Sequence, residues 1–304
     1  MKIEPFLEHL KINRHCSPET IKAYRSDLGL FAAFLQEKSL TRITQVDHGV
    51  VKDYIEHMRE KANPRLGRPG LSDGSIARRL AALSSFMEFA RATSHPNLRN
   101  PIKDFSRKWR KNNDPKPVDE ITLDLLLRGI TDLRDRTLMT FFLASGLRVS
   151  EIQQLNRDSI TISAESRPDS VEDSLCGSGE VIGKGRKRRR FFFDEETAML
   201  VAEYLVSRTD ELPPLFVSER KQRMSVRAIQ QRLQYWCQKL GLPHTNVHRL
   251  RHSFATRLAN ANINSLVLKE LMGHQSFTTT QRYFKLADTT LARGYFSAME
   301  YLKD

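Results

Sequence analysis

The sequence predicts a mainly α-helical protein of two domains, with a small β-hairpin or sheet in the second domain. Three observations support this fold class. Apolar residues recur at helical spacing through residues 1–105, a basic stretch with prolines interrupts the pattern at 106–118, and strand-like runs are confined to about 159–193. A chain of 304 residues also has room for about two domains of ordinary size.

Four helices are predicted in the first domain. An amphipathic repeat begins near the N-terminus, and Ser17 followed by Pro18 has the N-cap and N1 chemistry that starts a second helix. Two more helices are expected at residues 46–61 and 72–91, with the segment N-P-R-L-G-R-P-G as a loop between them. Four short helices can form one compact bundle.

The segment 106–118 has the composition of a linker. Prolines such as Pro115 and Pro117 break regular structure, and lysines and arginines make the segment basic. Runs of this kind are usually solvated. In a protein that clamps DNA, the same residues would also neutralise phosphates as the linker crosses the backbone, and the two interpretations are compatible.

The second domain, residues 119–304, is predicted to combine helices with a few strands. Its expected elements are helices at 121–127 and 134–144, a strand at 159–163, an acidic loop at 164–179, a strand–turn–strand unit in E-V-I-G-K-G-R-K-R-R-R-F-F-F, and helices at 195–207 and 225–240. The acidic loop should point away from bound DNA because carboxylates repel phosphates. The polar face of the last helix could enter a DNA groove, although most such faces are only solvated.

Composition favours a polyanionic partner. The chain has 49 Lys and Arg residues against 36 Asp and Glu, which gives a net charge of +13. This basic balance points most simply to nucleic acid, although charge alone does not separate DNA from RNA.

The sequence also predicts a cytoplasmic protein that does not associate with membranes. It contains no apolar run of about 18 residues, and its N-terminus has acidic side chains at helical spacing rather than the features of a signal peptide. The three cysteines, Cys16, Cys176 and Cys237, lie far apart and are odd in number. Neither a disulfide framework nor a metal-binding spacing follows, so a reducing compartment is expected.

The most informative stretch is residues 244–284. His248, Arg251 and His252 fall on one helical face, while apolar residues repeat on another face that would enter the core. Arg251 is a permanent cation whose fork suits phosphate oxygens, and histidines can transfer protons near neutral pH. Histidines at this spacing also occur in zinc helices, but Arg249 beside them would oppose a bound cation and no third ligand is evident, so we expect no metal.

A turn and a tyrosine follow this helix. Gly273 is suited to end the next helix, and it presents His274 at that end. Thr278 and Gln281 have capping-box spacing, which predicts a third helix with Tyr283 in its first turns. A tyrosine hydroxyl can act as a nucleophile toward phosphorus when neighbouring groups activate it.

An arginine also precedes a helix in the sequence A-S-G-L-R-V-S-E-I-Q-Q-L. Ser150 and Gln153 have capping-box spacing, which places Arg148 in the turn just before the helix N-terminus. Helix N-termini attract phosphate, and an arginine there adds a full charge. Taken alone, this residue would more simply be a surface arginine.

The hairpin contributes a lysine. Lys184 lies between Gly183 and Gly185 in the predicted turn, where little flanking bulk hinders its reach. Arg186 and Lys187 are nearby alternatives, and a basic hairpin can also contact phosphates without taking part in chemistry.

Together these motifs resemble the tyrosine recombinase family, in which a His-x-x-Arg helix, a Leu-Met/Leu-Gly-His turn and a tyrosine follow one another in this order. The resemblance implies six catalytic residues, which are Arg148, Lys184, His248, Arg251, His274 and the nucleophile Tyr283. Glu151 matches the family's acidic position, and we expect it to support the site rather than to catalyse.

The resemblance also implies an architecture. Residues 1–105 resemble the SAM-like core-binding domain that clamps DNA, and residues 119–304 resemble the α+β catalytic domain with its C-terminal docking tail. The chain looks closest to the compact two-domain members, Xer-like or transposon-borne, and no further N-terminal domain is expected.

The implied reaction is transesterification. Tyr283 would attack the scissile phosphate of DNA and form a 3′-phosphotyrosyl bond while the two arginines hold the non-bridging oxygens. His274 would add a hydrogen bond, His248 would give acid–base support, and Lys184 would protonate the leaving 5′ oxygen. The sequence has neither a nucleotide-binding P-loop nor a carboxylate cluster for two metals, so we expect no cofactor.

The implied partner is double-stranded DNA with paired inverted binding sites. A homotetramer would act on two duplexes, one dimer per site, and the need for a partner recombinase stays open. Two other classes of protein are compatible with parts of the pattern. A type IB topoisomerase-like enzyme would relax DNA by the same chemistry, and a DNA-binding regulator would have the fold with an inert site.

Overall fold

The computed structural model describes residues 2–60, 62–63, 68–106, 117–166, 173–183, 188–274, 276–281 and 283–284. The chain divides into two compact units, Met1–Asn113 and Asp114–Asp304. The division falls inside the predicted linker 106–118, most of which lies outside the described residues, so its role as a linker stays a prediction. None of the described helices is both long and apolar enough to cross a membrane.

The first unit is a helical bundle. Its elements are α1 (Glu4–Ile12), α2 (Pro18–Glu37), a 3-10 turn (Ile43–Gln45), α3 (His48–Glu60), β1 (Ala62–Asn63), β2 (Arg68–Pro69), α4 (Asp73–Thr93) and α5 (Ile102–Ser106). The Ser17 side chain accepts a hydrogen bond from the Thr20 N–H and caps α2 as predicted. The strand pair β1–β2 and the short helix α5 were not predicted, because such short elements carry no readable periodicity.

The core of this bundle is aromatic and aliphatic. Phe31 and Tyr54 meet edge to face with ring centroids 4.8 Å apart, and both are almost fully buried. Asp27 is also buried, and it forms ion pairs with Arg78 and Arg79 that tie α2 to α4.

The second unit is mostly helical with one small antiparallel sheet. Its elements are α6 (Glu120–Gly129), α7 (Leu133–Ser145), α8 (Val149–Gln154), β3 (Ile160–Ser166), β4 (Asp173–Ile182), β5 (Arg188–Phe193), α9 (Glu195–Ser207), α10 (Val226–Lys239), α11 (Val247–Asn260), α12 (Ser265–Met272) and α13 (Phe277–Gln281). The strand order is β3–β4–β5. Helix α7 is buried on nearly every side, and it packs against α9, α11 and β5.

The prediction of an acidic loop at 164–179 was wrong for most of its length. Residues 164–166 belong to β3 and residues 173–179 to β4, with Ser166 opposite Asp173 in the register. Ladder hydrogen bonds satisfy the backbone whatever the side chains are, so a polar sequence can still pair. Residues 167–172 lie outside the described residues, and the expectation that this segment avoids DNA is not tested.

Candidate active site

Arg148 occupies the N-cap position of α8, where Glu151 holds it. The Glu151 carboxylate accepts a hydrogen bond from the Arg148 backbone N–H at 2.7 Å and another from its guanidinium at 2.9 Å. The helix therefore begins two residues earlier than the predicted capping box of Ser150 and Gln153 requires, and that prediction was wrong. The residue three positions after the actual N-cap is Glu151, which makes the capping interaction.

Glu151 is the centre of an arginine cluster, which we define as Arg148, Arg189 and Arg251. Arg189 approaches the Glu151 carboxylate to 2.6 Å and Arg251 to 3.9 Å. Burial raises the pKa of Glu151, but the hydrogen bond from the Arg148 backbone and the charges of the arginines outweigh it, so this pKa lies below its usual value. One carboxylate does not neutralise three guanidinium groups, so the cluster keeps a net positive charge that suits a phosphate.

Arg251 is buried and is held by two helix ends. Its guanidinium donates hydrogen bonds to the carbonyl of Gly146, which caps α7, and to the carbonyl of Met272, the last residue of α12. Burial, together with the charge of Arg148, lowers the pKa of Arg251 to about 9, so the group is still a cation at neutral pH. Helix C-terminal carbonyls carry partial negative charge, and they favour the charged form of Arg251.

The turn after α12 links His274 to the same cluster. Gly273 adopts a left-handed φ of 60°, as its C-cap role predicts, and its carbonyl accepts a hydrogen bond from Arg148 at 3.0 Å. His274 follows directly, and its Nδ1 lies 2.8 Å from the hydroxyl of the buried Thr280.

Tyr283 enters the site after α13 rather than within it. Helix α13 ends at Gln281, so the prediction that Tyr283 lies in the first turns of a helix was wrong. The Tyr283 ring lies nearly parallel to the His274 ring, with centroids 6.4 Å apart. Its hydroxyl is 2.5 Å from His252 Nδ1. Electrostatic interaction with Tyr283 raises the pKa of Arg251 and so offsets part of the lowering that burial causes.

The structure thus brings together four of the six predicted site residues, namely Arg148, Arg251, His274 and Tyr283. His248 is exposed in the first turn of α11. Lys184 lies outside the described residues, as do its alternatives at 186 and 187. Within the described ranges, no group of three His, Cys, Asp or Glu side chains is arranged to hold a metal ion.

Two residues of the site were missed at the level of sequence. Arg189 lies among three consecutive arginines, but strand alternation places it on the same face as the buried Phe191 and Phe193, and that period was a readable signal. His252 lies on the predicted helical face of His248 and Arg251, but the sequence assigns it no role in the site. Its contact with Tyr283 spans a turn and a short helix, and no local pattern reports it.

Comparison with known proteins identifies the family of this chain. Residues 119–290 match the Phage integrase family, and residues 3–94 match the Phage integrase, N-terminal SAM-like domain. Tyrosine recombinase XerC of Haemophilus influenzae strain PittEE is 33% identical over 301 residues, which are 96% of this chain and 95% of the relative. This chain belongs to the tyrosine recombinase family. It is a tyrosine-type site-specific DNA recombinase, and nothing in these matches supports a topoisomerase or an inert regulator.

Solved structures share the recombinase fold. The Tn1549 transposon integrase in complex with transposon right end DNA is 20% identical, covers 98% of each chain and superposes with a TM-score of 0.71. XerH bound to its difH substrate is 18% identical, covers 95% of this chain and 83% of its own, and has a TM-score of 0.65. Identities this low establish the common fold alone.

Proposed function

We propose that this recombinase cuts and rejoins double-stranded DNA through a 3′-phosphotyrosyl bond to Tyr283. The observation that carries the proposal is the position of the Tyr283 hydroxyl, which lies 2.5 Å from Nδ1 of His252, the residue that follows the buried Arg251, while the Tyr283 ring stacks on His274. A nucleophile with proton-transfer groups and a buried cation next to it is equipped for phosphoryl transfer.

The arginines would hold the scissile phosphate. The guanidinium of Arg148 donates hydrogen bonds to Glu151 and to the Gly273 carbonyl, and that of Arg251 donates to two backbone carbonyls. These bonds fix the orientation of both guanidinium planes before DNA binds. Preorganised cations oppose the charge that develops on the non-bridging oxygens without reorganising during the reaction. His274 would add a hydrogen bond there, Lys184 would protonate the leaving 5′ oxygen, and the exposed His248 would give acid–base support from the α11 surface.

The substrate would be double-stranded DNA in the cytoplasm whose recombination site contains paired inverted binding sequences, and one dimer would occupy each such site. Two such sites would come together in a homotetramer, and the N-terminal bundle would clamp the DNA with the catalytic domain. The XerC relatives and the DNA-bound integrase and XerH structures support DNA as the partner. Transposition, integration, excision and dimer resolution all use this reaction.

The test is covalent capture on DNA that carries a nick beside the cleavage point, so that rejoining is prevented. Wild-type protein should accumulate with a 3′ phosphate linked to Tyr283, as mapped by peptide mass spectrometry. Tyr283→Phe should bind the same DNA and form no adduct, because only the hydroxyl is removed. Excess EDTA should leave the adduct yield unchanged, since guanidinium groups take the role of a metal. An adduct on another residue would refute the assignment.

A further inference from the structure

Three successive carbonyls at the C-terminal end of helix α12 each accept a hydrogen bond from a different arginine. The carbonyls are those of Leu271, Met272 and Gly273, and their donors are, in the same order, Arg189, Arg251 and Arg148. These arginines come from strand β5, helix α11 and the N-cap of α8, so three elements hold one helix end. The last carbonyls of a helix lack partners within it and carry partial negative charge, which makes this end a good acceptor for cations.

The segment that follows this helix end carries two of the proposed site residues. His274 comes directly after Gly273, and Tyr283 follows the short helix α13. The rings of His274 and Tyr283 lie almost parallel, at an interplanar angle of 12°. Thr280 of α13 lies 2.8 Å from His274 Nδ1, and this contact is internal to the segment. A shift of the α12 end would therefore move His274 and Tyr283 together.

Arg189 is placed to anchor the helix end. Its guanidinium bridges the Glu151 carboxylate, at 2.6 Å, and the Leu271 carbonyl. This close ion pair matches the charge of Arg189, whereas the same carboxylate lies 3.9 Å from Arg251. The Arg189 side chain is only 8% exposed, and a Cβ added at Gly273 would lie 2.8 Å from its Cδ and Nε, so the turn packs directly against it.

The two arginines proposed to hold the phosphate also have anchors outside α12. Arg148 donates to Glu151 in the helix that it caps, and Arg251 donates to the Gly146 carbonyl at the end of α7. These bonds should keep both guanidinium planes in place if the α12 end shifts. The loss of Arg189 should therefore displace mainly the segment that follows α12.

We propose that Arg189 is a positioning residue, which anchors the end of α12 and thereby places His274 and Tyr283 for DNA cleavage. This inference rests on the proposed function, in which Tyr283 is the nucleophile. The planar guanidinium can bridge two acceptors because its donors form a rigid fork. Lysine keeps the positive charge but presents one compact ammonium group, so the change Arg189→Lys separates the bridge from the charge.

The first measurement is the single-turnover rate of adduct formation on nicked DNA. Arg189→Lys should slow this rate by roughly 10²-fold, the cost of displacing reacting groups by about 1 Å, while DNA affinity in a gel shift is unchanged. Arg188→Lys is the matched control, because Arg188 precedes Arg189 on β5 and has an exposed side chain. It should cleave at the wild-type rate. Arg189→Gln takes the place of the lysine variant if that protein does not fold.

The second measurement observes the placement of the segment and needs no cleavage. Fluorotyrosine installed at position 283 gives a fluorine NMR resonance that is sensitive to the neighbouring His274 ring. In the folded protein without DNA, Arg189→Lys should shift or broaden this resonance, and Arg188→Lys should leave it unchanged. A residue that contributes only to stability would lower the free energy of unfolding without moving the resonance of the folded protein.

Three results would overturn the positioning role. These are a wild-type cleavage rate for Arg189→Lys, an unchanged fluorine resonance, and recovery of its rate on DNA with a neutral methylphosphonate at the cleavage point. Such recovery would mean that Arg189 opposes the charge of the phosphate directly. If wild-type protein forms no adduct at Tyr283, the proposed function fails, whereas the fluorine resonance still tests whether Arg189 places the segment.

Discussion

Glu151 and Arg189 form a buried ion pair, 2.6 Å between carboxylate and guanidinium, that joins helix α8 to strand β5. The same carboxylate caps α8 at Arg148, and Arg189 also donates to the Leu271 carbonyl near the end of α12. Three separate elements of the site therefore meet at this pair. Its loss should affect both stability and the placement of Arg148 and Arg251, the arginines proposed to hold the phosphate.

Replacing Glu151 with Gln should destabilise the protein strongly. The change leaves the arginine cluster buried without its counter-charge, and removing one partner of a buried pair typically costs about 3–5 kcal/mol. Glu180→Gln is the control, because Glu180 pairs with Arg188 at 4.0 Å on the exposed surface and should change the free energy of unfolding by less than about 1 kcal/mol. Urea denaturation of both variants measures the difference, and equal small effects would contradict a structural role for the cluster.

Stability should also fall at acidic pH through Glu151. The folded protein lowers the pKa of this carboxyl below its usual value, so its stabilising contribution is complete above the unfolded-state pKa of about 4.5. The contribution should disappear as the pH falls below this value and through the lowered pKa of the folded state. Free energies of unfolding measured between neutral pH and about pH 3 should decline less steeply for Glu151→Gln than for wild type. Parallel curves would mean that other carboxyl groups control the acid transition.

Gly273→Ala should impair both folding and cleavage. The residue has a φ of 60°, and an added Cβ would lie 2.8 Å from the Arg189 side chain. Gly241→Ala separates the two effects, because Gly241 has a φ of 65° with no atom within 4 Å of the added Cβ. We expect about 1–2 kcal/mol of destabilisation for Gly241→Ala, from the left-handed backbone alone, and more for Gly273→Ala. Only Gly273→Ala should also slow adduct formation, since the displaced turn carries His274.

Lys184→Ala should slow cleavage of ordinary DNA. A substrate with sulfur in place of the leaving 5′ oxygen should recover much of the rate, because a thiolate departs with little need of a proton. Lys187→Ala is the matched control from the same hairpin. If sulfur rescues Lys187→Ala and not Lys184→Ala, the acid is the other lysine.

The C-terminal tail, residues 286–304, is predicted to dock onto a neighbouring protomer. It lies outside the described residues, and its sequence places Leu291, Tyr295, Met299 and Leu302 on one apolar helical stripe. Gly294 weakens such a helix by roughly 1 kcal/mol, so the helix needs a surface to pack against. Head-to-tail contacts of this kind close into rings.

Deleting residues 290–304 should therefore leave DNA binding by one protomer intact and abolish cooperative binding to paired sites, together with recombination. Gel shifts on half-sites and full sites measure this. A truncated protein that unfolds at moderate temperature would assign the tail to its own core. Normal assembly and recombination by that protein would refute docking.

Local chemistry allowed the positions of several helices and site residues to be predicted from the sequence. The cap at Ser17 and the left-handed glycine at 273 depend on neighbouring residues alone, and helices α2 and α12 begin or end where these signals predict. Helices α7 and α10 lie close to the ranges that apolar periodicity predicts. The family motifs predicted Arg148, Arg251, His274 and Tyr283 as site residues because the order of the motifs along the chain is distinctive, and the structure brings these four side chains together.

Tertiary structure alone decided how these residues meet. Glu151 forms ion pairs with Arg148, Arg189 and Arg251, which come from three elements far apart in sequence. Arg189 and Arg251 are buried because residues from other elements pack around them and exclude water. The meeting of His252 with Tyr283 depends on the path of the chain through α12, the Gly273 turn and α13. Periodicity describes one element at a time, whereas these contacts depend on how separate elements pack.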